Sequence, residues 1–107
     1  MGKLEGKVAI ITGCSGGLGK QIALRFASEG AKLAICARND AKLQATAEAC
    51  RALGAAVLAM PVDLMDSQQI VAFKDATIQR FGTVDVLVNN AINTKAPHPF
   101  MEHTHEE

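Results

Sequence analysis

Tyrosine and tryptophan are both missing from this chain of 107 residues, and four phenylalanines are its whole aromatic content. A reaction that needs a phenol as proton donor is therefore excluded for these residues by themselves. Serine is scarce as well: Ser15, Ser28 and Ser67 are the only ones, so no serine follows the first two thirds of the chain. No apolar run approaches the roughly 18 residues that would span a bilayer. The opening carries Lys3, Glu5 and Lys7 and lacks an apolar signal core, which points to a cytoplasmic chain. Cys14, Cys36 and Cys50 are odd in number and lack CxxC spacing, so neither a disulfide framework nor a zinc site is indicated. An excess charge of either sign is lacking too. The 11 basic and 11 acidic residues are scattered without blocks, leaving no field to attract nucleic acid or an anionic membrane.

What is present is an ordinary globular balance, 49% hydrophobic and 21% charged, in a regular alternation of patterns. Four short apolar runs read as strands: Val8 to Thr12, Lys32 to Ala37, Ala56 to Val62, and Val84 to Val88. Their near-continuous apolar character predicts a parallel sheet covered on both faces. Three helical patterns lie between them. Leu18, Ile22 and Phe26 define the face of the first, which is expected to end at Gly30. Leu43, Ala47 and Cys50 define the second, with Gly54 as its stop. Ile70, Phe73, Thr77 and Phe81 line the third, with Asp66 or Ser67 as N-cap and Gly82 as C-terminal punctuation. Strand–helix–strand units of this length imply right-handed crossovers in an open α/β sheet. After Val88 the pattern stops. Residues 89–107 hold Pro97, Pro99, His98, His103 and His105 and read as a loop, its histidines solvated rather than metal-binding, with Glu106-Glu107 resembling a helix start. The last strand is then expected to present an open edge.

The most informative segment is Thr12-Gly-Cys-Ser-Gly-Gly-Leu-Gly19, set directly between the first strand and the first helix. Glycines at 13, 17 and 19 allow a sharp turn and close approach of backbone to a pyrophosphate. The helix that follows offers free N–H groups and a positive dipole end to an anion. A Walker-type loop fails twice, because Cys14 stands where its first glycine belongs and Gln21 where its hydroxyl belongs. The Gly-x-Gly-x-x-Gly dinucleotide fingerprint fits poorly, because Ile22 occupies its third glycine position. Cys14 lies close to the helix N-terminus, where a thiolate can be stabilised, although it occupies a variable position of the loop. Cys36 and Cys50 read as small core residues.

The spacing Thr-Gly-x3-Gly-x-Gly resembles the cofactor loop of the short-chain dehydrogenase/reductase family. Three further matches follow in that family's order: Asp63-Leu64 after the third strand, Asp85 within the fourth, and Asn89-Asn90-Ala91 immediately after it. The opening from Leu4 to Gly13 is similar to the family's as well, so the resemblance runs along essentially the whole chain. It implies a Rossmann-type doubly wound parallel sheet, here its first four strands and three helices, forming residues 1–107 as a partial NAD(P)-binding domain. It also implies cofactor contacts from Gly13, Ser15, Gly17, Leu18, Gly19, Arg38, Asn39, Asp63, Leu64, Asn90 and Ala91, with no catalytic and no metal residue in this segment. One departure is Ile92 in place of the motif's final glycine, a side chain that cannot take positive φ cheaply.

The resemblance further places Ala37 where the family's ribose-binding acid would stand, with Arg38 next to it. Without that acid a 2′-phosphate meets no repulsion, and a guanidinium can bond it, so NADP(H) is expected over NAD(H). Asn39 is within reach of the same ribose. The family's proton-transfer residues, a Tyr, a Lys four residues later, a Ser and an Asn, all follow the fourth strand. They have no counterpart here, which suggests a truncated longer chain. The function implied is an NADP(H)-dependent oxidoreductase passing hydride between nicotinamide and a small carbonyl or alcohol substrate. The subtypes are a 3-oxoacyl reductase or a general ketone/aldehyde reductase, with a dienoyl-CoA-type reductase as a rival. A homo-oligomer is implied for the full-length protein. A non-catalytic dinucleotide-binding or interaction module remains the alternative from another class.

Overall fold

A computed structural model describes residues 2–90. Along the chain run β1 (Val8–Thr12), α1 (Gly17–Ser28), β2 (Lys32–Ala37), α2 (Asp40–Ala52), β3 (Val57–Pro61), α3 (Ser67–Phe81) and β4 (Val86–Val88). The four strands form one parallel sheet in the order β3-β2-β1-β4. The chain therefore builds outwards from β1 through β2 to β3, then returns across β1 to lay down β4 on its other side. The expected doubly wound sheet is present.

Burial explains the strand sequences. β1 and β2 are central, and every residue from Val8 to Thr12 and from Leu33 to Ala37 is buried. A strand with a layer on each face has no solvent side and needs no polar alternation. Ala9, Ile11, Leu33 and Ile35 face a core shared with Ala23 and Ala27 of α1 and Leu43, Ala47 and Cys50 of α2. Ile10, Ala34 and Cys36 face the other way, with Val62 and with Phe73 of α3. The edge strands β3 and β4 are mostly half-buried, and Leu87 of β4 is 43% exposed.

The helix ends follow local chemistry. Asp66 caps α3 by accepting from the Gln68 and Gln69 N–H groups, and Gly82 closes the helix in the left-handed region at φ 87°. Ile70 and Phe81 pack around Phe73 and the buried Thr77 on the expected inward face. Asn39 caps α2, accepting from the Lys42 N–H. The predicted face of α1 needs correction. Leu18 is 67% exposed, Ile22 and Phe26 are only half-buried, and the inward stripe is Gly19, Ala23 and Ala27. Small residues let the helix axis lie close to the sheet, and the larger apolar side chains then flank the contact. α1 stops at Ser28, two residues short of the expected Gly30.

The apolar runs also overstate the outer strands, since β3 begins at Val57 and ends at Pro61 and β4 begins only at Val86. Asp85 serves another purpose. Its carboxylate accepts from the Val8 N–H at 2.9 Å and its own N–H donates to the Val8 carbonyl at 2.8 Å, fixing the start of β1.

Candidate cofactor-binding site

The sheet order reverses at β1, and open α/β sheets bind ligands beyond the C-terminal strand ends at such a switch point, here those of β1 and β4. The segment leaving β1 turns sharply there. Gly13 has φ 71° and Gly17 φ 57°, left-handed values that no non-glycine residue adopts in the described chain. Gly19 is required for a different reason. A Cβ added to it would lie 2.0 Å from the Gly13 carbonyl oxygen and 2.7 Å from the Asn90 Nδ2. The first turn of α1 therefore sits directly against the strand ends, as a close phosphate-binding turn demands.

Hydrogen bonds tie this turn to the end of β4. The Thr12 hydroxyl donates to the Asn89 Oδ1 at 3.1 Å and accepts from the Asn90 N–H at 3.0 Å. The Asn90 Nδ2 donates to the Gly13 carbonyl at 3.2 Å. Two segments more than 75 residues apart are thereby held as one surface. Thr12 and Asn89, which are not among the cofactor contacts expected from sequence, are central to this arrangement. Their signal was available in the Thr-Gly and Asn-Asn dipeptides, where the hydroxyl and amide are the groups able to join the two strand ends.

Beyond the turn, Ser15 is half-exposed and Gly16, Gly17 and Leu18 are exposed. α1 starts from Gly16 with no side-chain cap and no acidic residue in its first turn. Its leading N–H groups are therefore open to an anion and undiminished by a nearby carboxylate. Cys14 does not gain the thiolate stabilisation that a helix N-terminus can offer. It is fully buried, its Sγ donates to the Ile11 carbonyl at 3.4 Å, and burial pushes its pKa up to about 12. The side chain turns into the core, where loss of water outweighs the helix end. Burial also raises Cys36 to about 12 and lifts Cys50, in keeping with their expected core positions.

At the end of β2, Ala37 is buried and Arg38 and Asn39 are exposed. The Asn39 Oδ1 is committed to capping α2, which leaves its amide nitrogen for any ligand. Asp40, at the start of α2, has its Oδ1 bonded by Gln44 of the same helix at 3.1 Å. After β3, the half-buried Asp63 receives the Met65 N–H on Oδ1 at 2.9 Å, and its own N–H donates to the Gln69 Oε1 at 2.8 Å. Leu64 packs against the core beneath α3. Ala91, Ile92 and the three histidines lie outside the described residues. Among the described residues no group of side chains could hold a metal ion, and no helix is long and apolar enough to cross a membrane.

Fold and turn together define an α/β sheet of the Rossmann class. The family model of the short chain dehydrogenases matches residues 7–107, and the chain belongs to that family. It is 44% identical over 89 residues to the 11-beta-hydroxysteroid dehydrogenase-like 2 protein of Arabidopsis thaliana, covering 82% of this chain and 29% of that one. Among solved structures, the hydroxysteroid dehydrogenase of Escherichia coli superposes with a TM-score of 0.81 at 38% identity, over 91% of this chain and 41% of the other. An actinorhodin polyketide ketoreductase with NADPH gives 0.79 at 32% identity, over 94% and 41%. An NAD+-bound xylitol dehydrogenase gives 0.82 at 31%, over 85% and 35%. The chain thus spans less than half the length of these relatives.

Proposed function

We propose that residues 1–107 are the cofactor-binding part of an NADP(H)-dependent oxidoreductase that acts on a carbonyl or alcohol substrate. The observation that carries this reading is the uncapped N-terminus of α1, fed by a glycine turn that Thr12 and Asn90 fasten to the end of β4. Gly13, Ser15, Gly17, Leu18 and Gly19 form the pyrophosphate face, and Asn90 the neighbouring wall. Asp63 and Leu64 take the adenine side. The residues present fit a dinucleotide, since a Cβ at Gly16 or Gly17 would meet nothing within 4 Å, which leaves the backbone of the turn open to a phosphate. When bound, the nicotinamide supplies the hydride chemistry. The chain's own share is to bind the cofactor, orient it and hold its phosphates.

The cofactor choice rests on Ala37 and Arg38. No acid stands at position 37 or 38, Arg38 is exposed, and the Asp40 carboxylate is bonded by Gln44 of its own helix. Among the structural relatives one carries NADPH and another NAD+, so these residues rather than the family make the case for NADP(H). A 3-oxoacyl or general ketone/aldehyde reductase is the favoured substrate type, with a homo-oligomeric, cytoplasmic full-length protein. The chain contains no tyrosine. Residues 1–107 by themselves are therefore expected to bind cofactor weakly and to catalyse no ketone-dependent oxidation of NADPH.

The test is a pair of binding titrations. A charged hydrogen bond of about 1.5–3 kcal/mol corresponds to a preference for NADPH over NADH of roughly ten- to a hundredfold. The double substitution Ala37→Asp and Arg38→Ala should reverse it. Equal affinity for both cofactors before and after the change refutes the assignment.

A further inference from the structure

Three polar residues are buried among the described ones: Thr12, Thr46 and Thr77. Thr12 belongs to the site already described. Thr77 returns its hydroxyl to the Phe73 carbonyl of its own helix at 2.8 Å, an ordinary backward bond. Thr46, only 1% exposed, does something else. Its hydroxyl donates out of α2 to the Cys14 carbonyl at 2.7 Å, with the carbonyl one turn back, on Lys42, at 3.3 Å. A hydroxyl has a single proton, and the shorter, better contact takes it.

That bond completes the immobilisation of one residue. The Cys14 N–H donates to the Cys36 carbonyl of β2 at 3.2 Å, its Sγ donates to Ile11 of β1, and its carbonyl is held by Thr46 of α2. The peptide that carries this carbonyl also carries the Ser15 N–H. In a planar trans peptide the two groups point in opposite directions. With the carbonyl drawn inwards to α2, the Ser15 N–H is aimed away from it, at the start of the open part of the glycine turn. The same helix is capped by Asn39, beside Arg38, so one element fixes both the turn and the segment proposed to meet the ribose.

We infer that Thr46 is a positioning residue for the cofactor site, its hydroxyl orienting the Cys14–Ser15 peptide so that the Ser15 N–H faces the phosphate-bearing ligand. The inference rests on the dinucleotide reading above. It assigns a ligand-affinity role to a buried side chain that touches no ligand.

The experiment measures NADPH binding by fluorescence in the parent protein and in Thr46→Val, Thr46→Ser and Thr77→Val, each checked for folding by circular dichroism. Thr46→Val keeps the shape and removes the hydroxyl. It should weaken NADPH by about three- to tenfold, the value of one neutral hydrogen bond. Thr46→Ser should restore parental affinity. Thr77→Val removes an equally buried hydroxyl away from the turn and should leave affinity unchanged. If Thr46→Val does not fold, amide hydrogen exchange in the parent protein decides, because bound NADPH should protect the Ser15 N–H. A parent protein that binds neither NADPH nor NADH overturns the dinucleotide reading and this inference together. Parental affinity in a folded Thr46→Val, equal weakening in Thr77→Val, or an unprotected Ser15 amide overturns this inference alone.

Discussion

The N-termini of α1 and α3 are built to opposite ends. At α3 the Asp66 carboxylate accepts from Gln68 and Gln69, and the Gln69 amide donates back to it at 3.1 Å, so the helix start is chemically closed. At α1 the preceding residue is Gly16, with no side chain to close anything. A good cap is worth roughly 0.5–2 kcal/mol over alanine. The difference is that α1 forgoes local stabilisation just where the strand order reverses and where the proposed cofactor site lies. A site and a stability maximum are competing uses of the same four N–H groups.

The comparison can be broken most forcefully at Gly19. Its replacement by alanine places a Cβ 2.0 Å from the Gly13 carbonyl oxygen. Overpacking of this kind costs about 1–3 kcal/mol. Because the clash lies in the turn itself, dinucleotide binding should be lost outright while the circular dichroism spectrum stays helical and sheet-like. Unaltered binding by Gly19→Ala would remove the turn from the site.

A sharper version exchanges the character of the two helix starts. Gly16 has an extended backbone, φ 170°, and a Cβ there meets nothing within 4 Å, so Gly16→Asp introduces a cap without a clash. Stability should rise by a few tenths of a kcal/mol, about the usual gain over a glycine cap. Dinucleotide affinity should fall by tenfold or more on the order of a lost charge-favoured contact, because a carboxylate now competes with the phosphate. Asp66→Ala at α3 should do the reverse, lowering stability by about 0.5–2 kcal/mol with little change in affinity. Thermal melts and titrations on the same samples check both halves.

The smallest expected effect concerns the thiols. Cys14 and Cys36 are raised from 9.0 to about 12 by burial, so both stay protonated in the folded protein throughout the neutral range. Iodoacetamide should label them only on unfolding, with or without cofactor. The unfolded chain loses these protons near its ordinary value and the folded chain does not. Stability is therefore unaffected below about pH 9 and declines as pH rises from there towards 12. Rapid labelling of native Cys14 at pH 8 would show that the turn opens far more readily than its three tethers allow.

The sequence made some parts of this molecule plain and hid others for physical reasons. The ends of β1 and β2 coincide with the apolar runs because both strands are covered on two faces and nothing polar dilutes the signal. β3 and β4 border solvent on one side, so apolar residues continue past the paired segment and blur its limits. The buried face of α1 was misread because Gly19, Ala23 and Ala27 carry almost no hydrophobic weight, whereas Leu18 carries much and stays outside. The glycine turn and the Asn-Asn pair were legible because their constraint is covalent geometry. Thr46 was not, since a threonine in a helix announces nothing about a carbonyl 32 residues away.

The pairing of β1 with two neighbours has a consequence for how the molecule comes together. β1 meets β2 over short chain separations, Val8 against Lys32, but meets β4 only across most of the described chain, Ala9 against Val86. Closing the longer loop has the greater entropic cost, and contacts of that kind form late. The first two strand–helix units can therefore assemble while the chain is still lengthening. The fastened turn cannot, because Asn90 reaches Gly13 only after β4 has docked. The proposed cofactor site is therefore complete only once β4 is in place.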